Sequence, residues 1–105
     1  MPTISTDSDY QTVITTFEVT PGTALDLLET LELAHREFIS HQPGFIAVGL
    51  HMNDAHTRIA SYSQWRRRED FQAMLRSNEM RQRNRKISAL CKTFEPVMYE
   101  VVAAF

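Results

Sequence analysis

Two runs, Phe45 to Met52 and Thr57 to Trp65, flank the polar turn Asn53-Asp54-Ala55-His56. Two strand-length segments joined by residues of turn chemistry specify a β-hairpin. Pro43-Gly44 breaks the chain before it, and Arg66-Arg67-Arg68-Glu69-Asp70 follows as a charged helix start. Trp65 closes the hairpin and is the only tryptophan. At such a junction a large aromatic is either a core plug or the wall of a small-molecule pocket, and the function turns on which. By alternation, Ile59, Ser61, Ser63 and Trp65 point one way, and Arg58, Ala60, Tyr62 and Gln64 the other. In the preceding strand Phe45, Ala47, Gly49 and His51 share one face, and Ile46, Val48, Leu50 and Met52 the other. Both faces are largely apolar, which reads as a strand covered on both sides.

The rest of the chain arranges itself around this hairpin. Gln11 to Val19 alternates, with Val13, Thr15, Phe17 and Val19 on one face, and reads as a strand. Pro21-Gly22 breaks it, and Thr23, with Asp26 three residues on, is a candidate N-cap. Leu27, Leu31, Ala34 and Phe38 recur at helical spacing over 24–40, with Leu28 and His35 alongside. Phe71, Met74 and Leu75 mark a short amphipathic helix, Ser77-Asn78 interrupts it, and a further helix runs from Glu79 to Leu90. Phe94 to Ala103 is the last strand, with Pro96 marking an edge or a bulge. The order β-α-β-β-α(α)-β is that of an α+β, ferredoxin-like split β-α-β fold. Residues 1–10 are expected to be a flexible lead-in and 11–105 a single domain. One sheet face takes the helices. Val13, Phe17, Val48 and Val101 make the sheet too apolar for the other face to stay wet, which predicts a homodimer packed sheet to sheet.

Composition removes several function classes. A net charge of -2 gives no global case for a nucleic-acid partner. The one cysteine, Cys91, allows no intramolecular disulfide, fits a reducing cytoplasm, and reads as a small buried hydrophobe. The polar, acidic start lacks the blocks of a signal peptide, and no apolar run approaches the roughly 20 residues of a membrane span. His35, His41 and His56 have neither pairing spacing nor acidic companions. With no His-x-x-x-His and no cysteine cluster, no metal site is expected. The basic run Met80 to Lys86 reads as a solvated helix face. One inward arginine, Arg83 or Arg85, could hold a phenolate or carboxylate. An unperturbed imidazole titrates near ~6.5, which makes His51 a candidate acid or base at neutral pH.

At Pro43-Gly44-Phe45, His51 and Tyr62-x-Gln64-Trp65 the chain resembles the antibiotic biosynthesis monooxygenase family of dimeric α+β barrel proteins. The resemblance spans roughly residues 11–103. It implies a pocket between sheet and helices, and oxidation of an anthrone- or hydroquinone-type aromatic, polyketide-like substrate by O2 to a quinone with no cofactor. The alternative is a non-redox small-molecule binder, or a non-oxygenase enzyme, on the same scaffold. Trp65 matches the family's pocket tryptophan, His51 a histidine on the preceding strand, and Arg85 lies near a substrate-contacting helix arginine. These three are the expected catalytic residues, and His51 the expected base. Ser61, Phe71, Phe38 and Met74 are the expected substrate contacts. Ser61 stands where the family has asparagine and Phe71 where it has tyrosine. Both departures remove polar groups that could contact oxygen or a phenolate, the asparagine amide and the tyrosine hydroxyl, and imply either altered quinone-forming activity or a different substrate. Haem-degrading relatives have a histidine about one helix further on, and none occurs around Leu75.

Overall fold

In the computed structural model, residues 1–6 and 9–105 are described. Asp7 and Ser8, part of the lead-in expected over residues 1–10, lie outside them. The elements are β1 (Gln11–Glu18), α1 (Pro21–Glu37), a 3-10 turn (Ile39–His41), β2 (Phe45–Met52), β3 (Arg58–Trp65), α2 (Arg68–Arg76), α3 (Asn78–Leu90) and β4 (Thr93–Tyr99). They build one four-stranded sheet in the order β2-β3-β1-β4, antiparallel at each pairing. This is the ferredoxin-like α+β arrangement, with the helices on one face.

Local chemistry accounts for most boundaries. Pro21-Gly22 starts the first helix rather than only ending the strand. Thr20 is the extended residue before it, and Pro21 takes the first turn, where its fixed φ fits and its missing N–H leaves no donor unsatisfied. The N-cap is therefore Thr20, not Thr23. At the other end Phe38 leaves helical geometry at φ -136°, and the chain tightens into the 3-10 turn. Ser77 separates α2 from α3 by capping both. Its hydroxyl donates to the Met74 carbonyl at 2.7 Å and accepts from the Met80 N–H at 3.2 Å. In the hairpin turn Asn53 Oδ1 accepts from the N–H groups of Thr57 and Arg58, at 2.9 and 2.8 Å. His56 sits there in the left-handed region at φ 57°.

The last strand ends at Tyr99 instead of Ala103. Thr12 opposite Tyr99 is the final pair, and β1 begins one residue earlier at Gln11, so β4 runs out of partner backbone. As an edge strand it tolerates Pro96, which pairs with Thr15. The core lies between sheet and helices and contains Val13, Phe17, Leu27, Leu31, Ile59, Trp65 and Ile87.

One irregularity changes which side chains share a face. Phe45 pairs with Trp65, and Ala47 with Gln64, so a bulge at Ile46 advances β2 by an extra residue. Directly paired residues stand on the same side of an antiparallel sheet. Phe45, Val48, Leu50 and Met52 therefore join Trp65, Ser63, Ser61 and Ile59 on the helix side. Ala47, Gly49 and His51 go with Gln64, Tyr62 and Ala60 on the open side. Simple alternation placed Phe45 with His51, and the bulge separates them.

The residues expected to make the open face apolar are also redistributed. Val13, Phe17 and Val48 face the helices, and Val101 lies beyond β4. The open face instead carries Ile14, Ala60, Tyr62, Val97 and Tyr99, of which Val97 and Tyr99 are exposed. Thr3 crosses this face. Its N–H donates to Gln64 Oε1 at 3.2 Å, and its carbonyl accepts from Gln64 Nε2 at 2.6 Å.

Candidate active site

A cavity of about 60 Å³ lies between the sheet and the three helices. Its floor is the helix-side face of β1 and β3, and the roof comes from α1, α2 and α3. Trp65 is both of the things its position allowed. It is 1% exposed and belongs to the core, yet its indole also lines the cavity. Phe45 and Phe71 hold it edge to face at centroid distances of 5.4 and 5.6 Å. Its N–H donates to Ser63 Oγ at 3.2 Å, and that hydroxyl donates onward to the Val13 carbonyl at 3.2 Å. Ser63, rather than Ser61 or a substrate oxygen, therefore satisfies the indole. What Trp65 offers the cavity is an aromatic ring fixed in orientation.

That arrangement leaves Ser61 uncommitted. Ser61 lines the cavity and pairs in register with Thr15 of β1, which lines it too. Two hydroxyl side chains thus stand next to each other on the floor, with Asn84 of α3 also on the wall. Among the described residues no hydrogen bond engages these three side chains. No enclosed polar side-chain atom lacks a partner, so the three open onto accessible space. A mostly apolar chamber with a few uncommitted polar groups has the character of a small-molecule site.

The structure divides the expected site residues. Ser61, Trp65, Phe71 and Met74 meet at the cavity. Phe38 packs against the core from the side and does not line it. His51 is exposed on the open side of the sheet, where its Nε2 and Pro2 lie over Gly49. The bulge at Ile46 is the reason, because it turns the parity of β2 after Phe45. Arg85 is exposed and faces outward beside Arg81 and Ser88. Arg83 is committed elsewhere, joining Glu79 at 2.8 Å and Glu37 of α1 at 3.3 Å, which ties α3 to α1. Neither arginine reaches the chamber.

One residue on the wall is not marked by the sequence, because its spacing suggests no partner. His35 of α1 lines the cavity. Its Nδ1 lies 2.8 Å from the Leu31 carbonyl, one helical turn back. A carbonyl only accepts, so Nδ1 carries the proton and Nε2 the lone pair. Burial pushes the imidazole pKa down, against a smaller upward pull from the Leu31 hydrogen bond, so the ring is neutral at pH 7. The available signal was its place beside the apolar stripe Leu27, Leu31, Ala34 and Phe38. No group of three His, Cys, Asp or Glu side chains among the described residues could hold a metal ion.

A helix-backed antiparallel sheet with a chamber between the layers defines an α+β domain of ferredoxin-like type. The chain belongs to the antibiotic biosynthesis monooxygenase family, whose sequence pattern it matches over residues 11–86. No protein of curated function matches it. Solved structures agree on the fold. A point mutant of SnoaB, a cofactor-independent oxygenase from Streptomyces nogalater, superposes with a TM-score of 0.81 at 19% identity, covering 92% of this chain and 97% of its own. The ActVA-Orf6 monooxygenase of Streptomyces coelicolor, in complex with nanaomycin D, gives 0.76 at 22% identity, covering 90% and 89%. PA3566 from Pseudomonas aeruginosa gives 0.74 at 20% identity, covering 90% and 95%.

Proposed function

We propose that this protein is a cofactor-independent monooxygenase that oxidises a small electron-rich aromatic of anthrone or hydroquinone type with O2 to a quinone. The observation that carries the reading is the chamber beneath Trp65, mostly apolar and with the uncommitted polar groups of Ser61, Thr15 and Asn84 on its wall. An aromatic wall of fixed orientation stacks a planar substrate, and the hydroxyl pair can donate to an oxygen that gains charge. The SnoaB and ActVA-Orf6 likenesses support the same class of chemistry.

For an anthrone the balance is CH2 + O2 → C=O + H2O. A carbon-bound proton leaves, and the resulting carbanion passes one electron to O2. The radical and superoxide combine, and a proton gives the hydroperoxide. Loss of the second carbon proton with hydroxide leaves the carbonyl and water. The substrate supplies the electrons, so the protein's contribution is positioning, exclusion of water and stabilisation of charge.

The working form is a homodimer of the single domain over residues 11–105, closed over Ile14, Tyr62, Val97 and Tyr99 of the open face. The free thiol of Cys91 suits a reducing cytoplasm. The chamber's small volume favours one second reading, a non-redox binder. A site for a drug-sized ligand is on the order of 300 Å³ or more, so Met74, Met80 and Leu75 must swing aside to admit a ring system. Oxygen uptake with a panel of anthrones and hydroquinones, in chelator, separates the two. Saturable uptake with quinone formation supports the oxygenase. Binding without uptake leaves the binder.

A further inference from the structure

We propose that His35 is the proton acceptor of this chamber, with Nε2 taking the proton from a phenolic hydroxyl or acidic benzylic carbon of a substrate whose oxygen lies against Ser61 and Thr15. The substrate class rests on the oxygenase reading, while the assignment to His35 rests on its own geometry.

Among the described residues that line the chamber, His35 alone is ionisable. The walls from β1, β3, β4, α2 and α3 supply apolar, hydroxyl, indole and amide groups, and no carboxylate, ammonium or guanidinium. If a proton is lost inside this space, an imidazole is the wall group able to accept it at neutral pH. The Leu31 bond sets the tautomer that acceptance needs, with hydrogen on Nδ1 and the lone pair on Nε2. The same bond then steadies the imidazolium, because Nδ1–H donates more strongly once the ring is charged.

The ring also touches a second space. His35 lines the groove along the β2 edge, beside Glu32 and Arg36 of its own helix and Met1 of the N-terminal segment. Glu32 and Arg36 are solvent-facing and pair with each other at 3.8 Å. His35 thus borders both the chamber and an open groove. Burial disfavours the charged ring in the empty chamber, and an organic anion bound beside it reverses that penalty. Substrate ionisation and imidazolium formation are therefore linked, each raising the other's yield.

The test uses protein labelled with 15N at histidine and dithranol (1,8-dihydroxyanthrone) as probe, under nitrogen. In the free protein the His35 nitrogen shifts should report the Nδ1–H tautomer, neutral at pH 7, with His35→Gln assigning the signals. On binding, His35 should titrate at higher pH than in the free protein, and the probe should absorb as its anion. In air, His35→Gln should lower oxygen uptake by at least about tenfold while still binding the probe. A His35 ring that stays neutral beside an ionised bound probe overturns the proposal, even if the variant fails to fold. So does uptake by folded His35→Gln within about twofold of wild type. If wild type consumes no oxygen yet His35 charges as the probe ionises, the oxygenase reading falls and the proton acceptor stands. Failure of dithranol and of simple hydroquinones to bind removes both.

Discussion

The indole N–H of Trp65 donates to the hydroxyl of Ser63, two residues back on the same face of β3, at 3.2 Å. The aromatic wall of the chamber is thus anchored by its own strand, leaving Ser61 and Thr15 unengaged. Ser63→Ala strands a buried donor. It should cost about 1–3 kcal/mol in denaturant unfolding, more than Ser61→Ala, whose hydroxyl has no hydrogen bond to lose among the described residues. Equal costs for the two would contradict this assignment.

Gly44 adopts φ +83° just before the hairpin, and a side chain built on it would collide with that of Asp70. Its carbonyl also accepts from the Arg66 N–H at 2.8 Å, clasping the two ends of the hairpin together. Gly44→Ala therefore meets left-handed strain and a clash, and should destabilise by about 1–3 kcal/mol or more. A melting temperature unchanged from wild type would show that Asp70 yields freely.

The lowered pKa of His35 has a consequence for stability. The folded protein holds the ring neutral through the range in which the unfolded chain, titrating near 6.5, takes up a proton. Stability should therefore be full above that pH and decline as pH falls below it, until the folded ring protonates as well. His35→Gln should flatten this part of the profile in urea titrations between pH 7 and 5. A slope that persists in the variant would assign the effect to another group.

His51 stands on the open side of the sheet, away from the chamber. His51→Ala should leave oxygen uptake within about twofold of wild type, against the tenfold or greater loss expected had it been the base. A large loss would bring the open face into the chemistry.

A homodimer closed over the open face should be broken by charge placed there. Val97→Asp is expected to shift the mass seen by light scattering at micromolar concentration from dimer toward monomer. A monomeric wild type would remove the sheet-to-sheet assembly.

The hairpin, the two-part helical stretch after it and the orientation of β3 were legible because each follows from neighbours in sequence. Turn residues mark the hairpin, a capping serine splits α2 from α3, and period-2 alternation sets which residues of β3 share Trp65's side. With the strand and helix order, these local signals determined the fold and half of the chamber. The other half depended on contacts between distant segments. The bulge at Ile46 arises only when β2 pairs with β3, and that single extra residue sends His51 to the opposite side from Trp65. His35 carries no local mark of a site, because its meaning comes from the chamber roof formed where α1 packs over the sheet near α2 and α3. Alternation and helical period state which side chains travel together. Packing alone decides which of two apolar faces turns inward, and so which histidine lines the chamber.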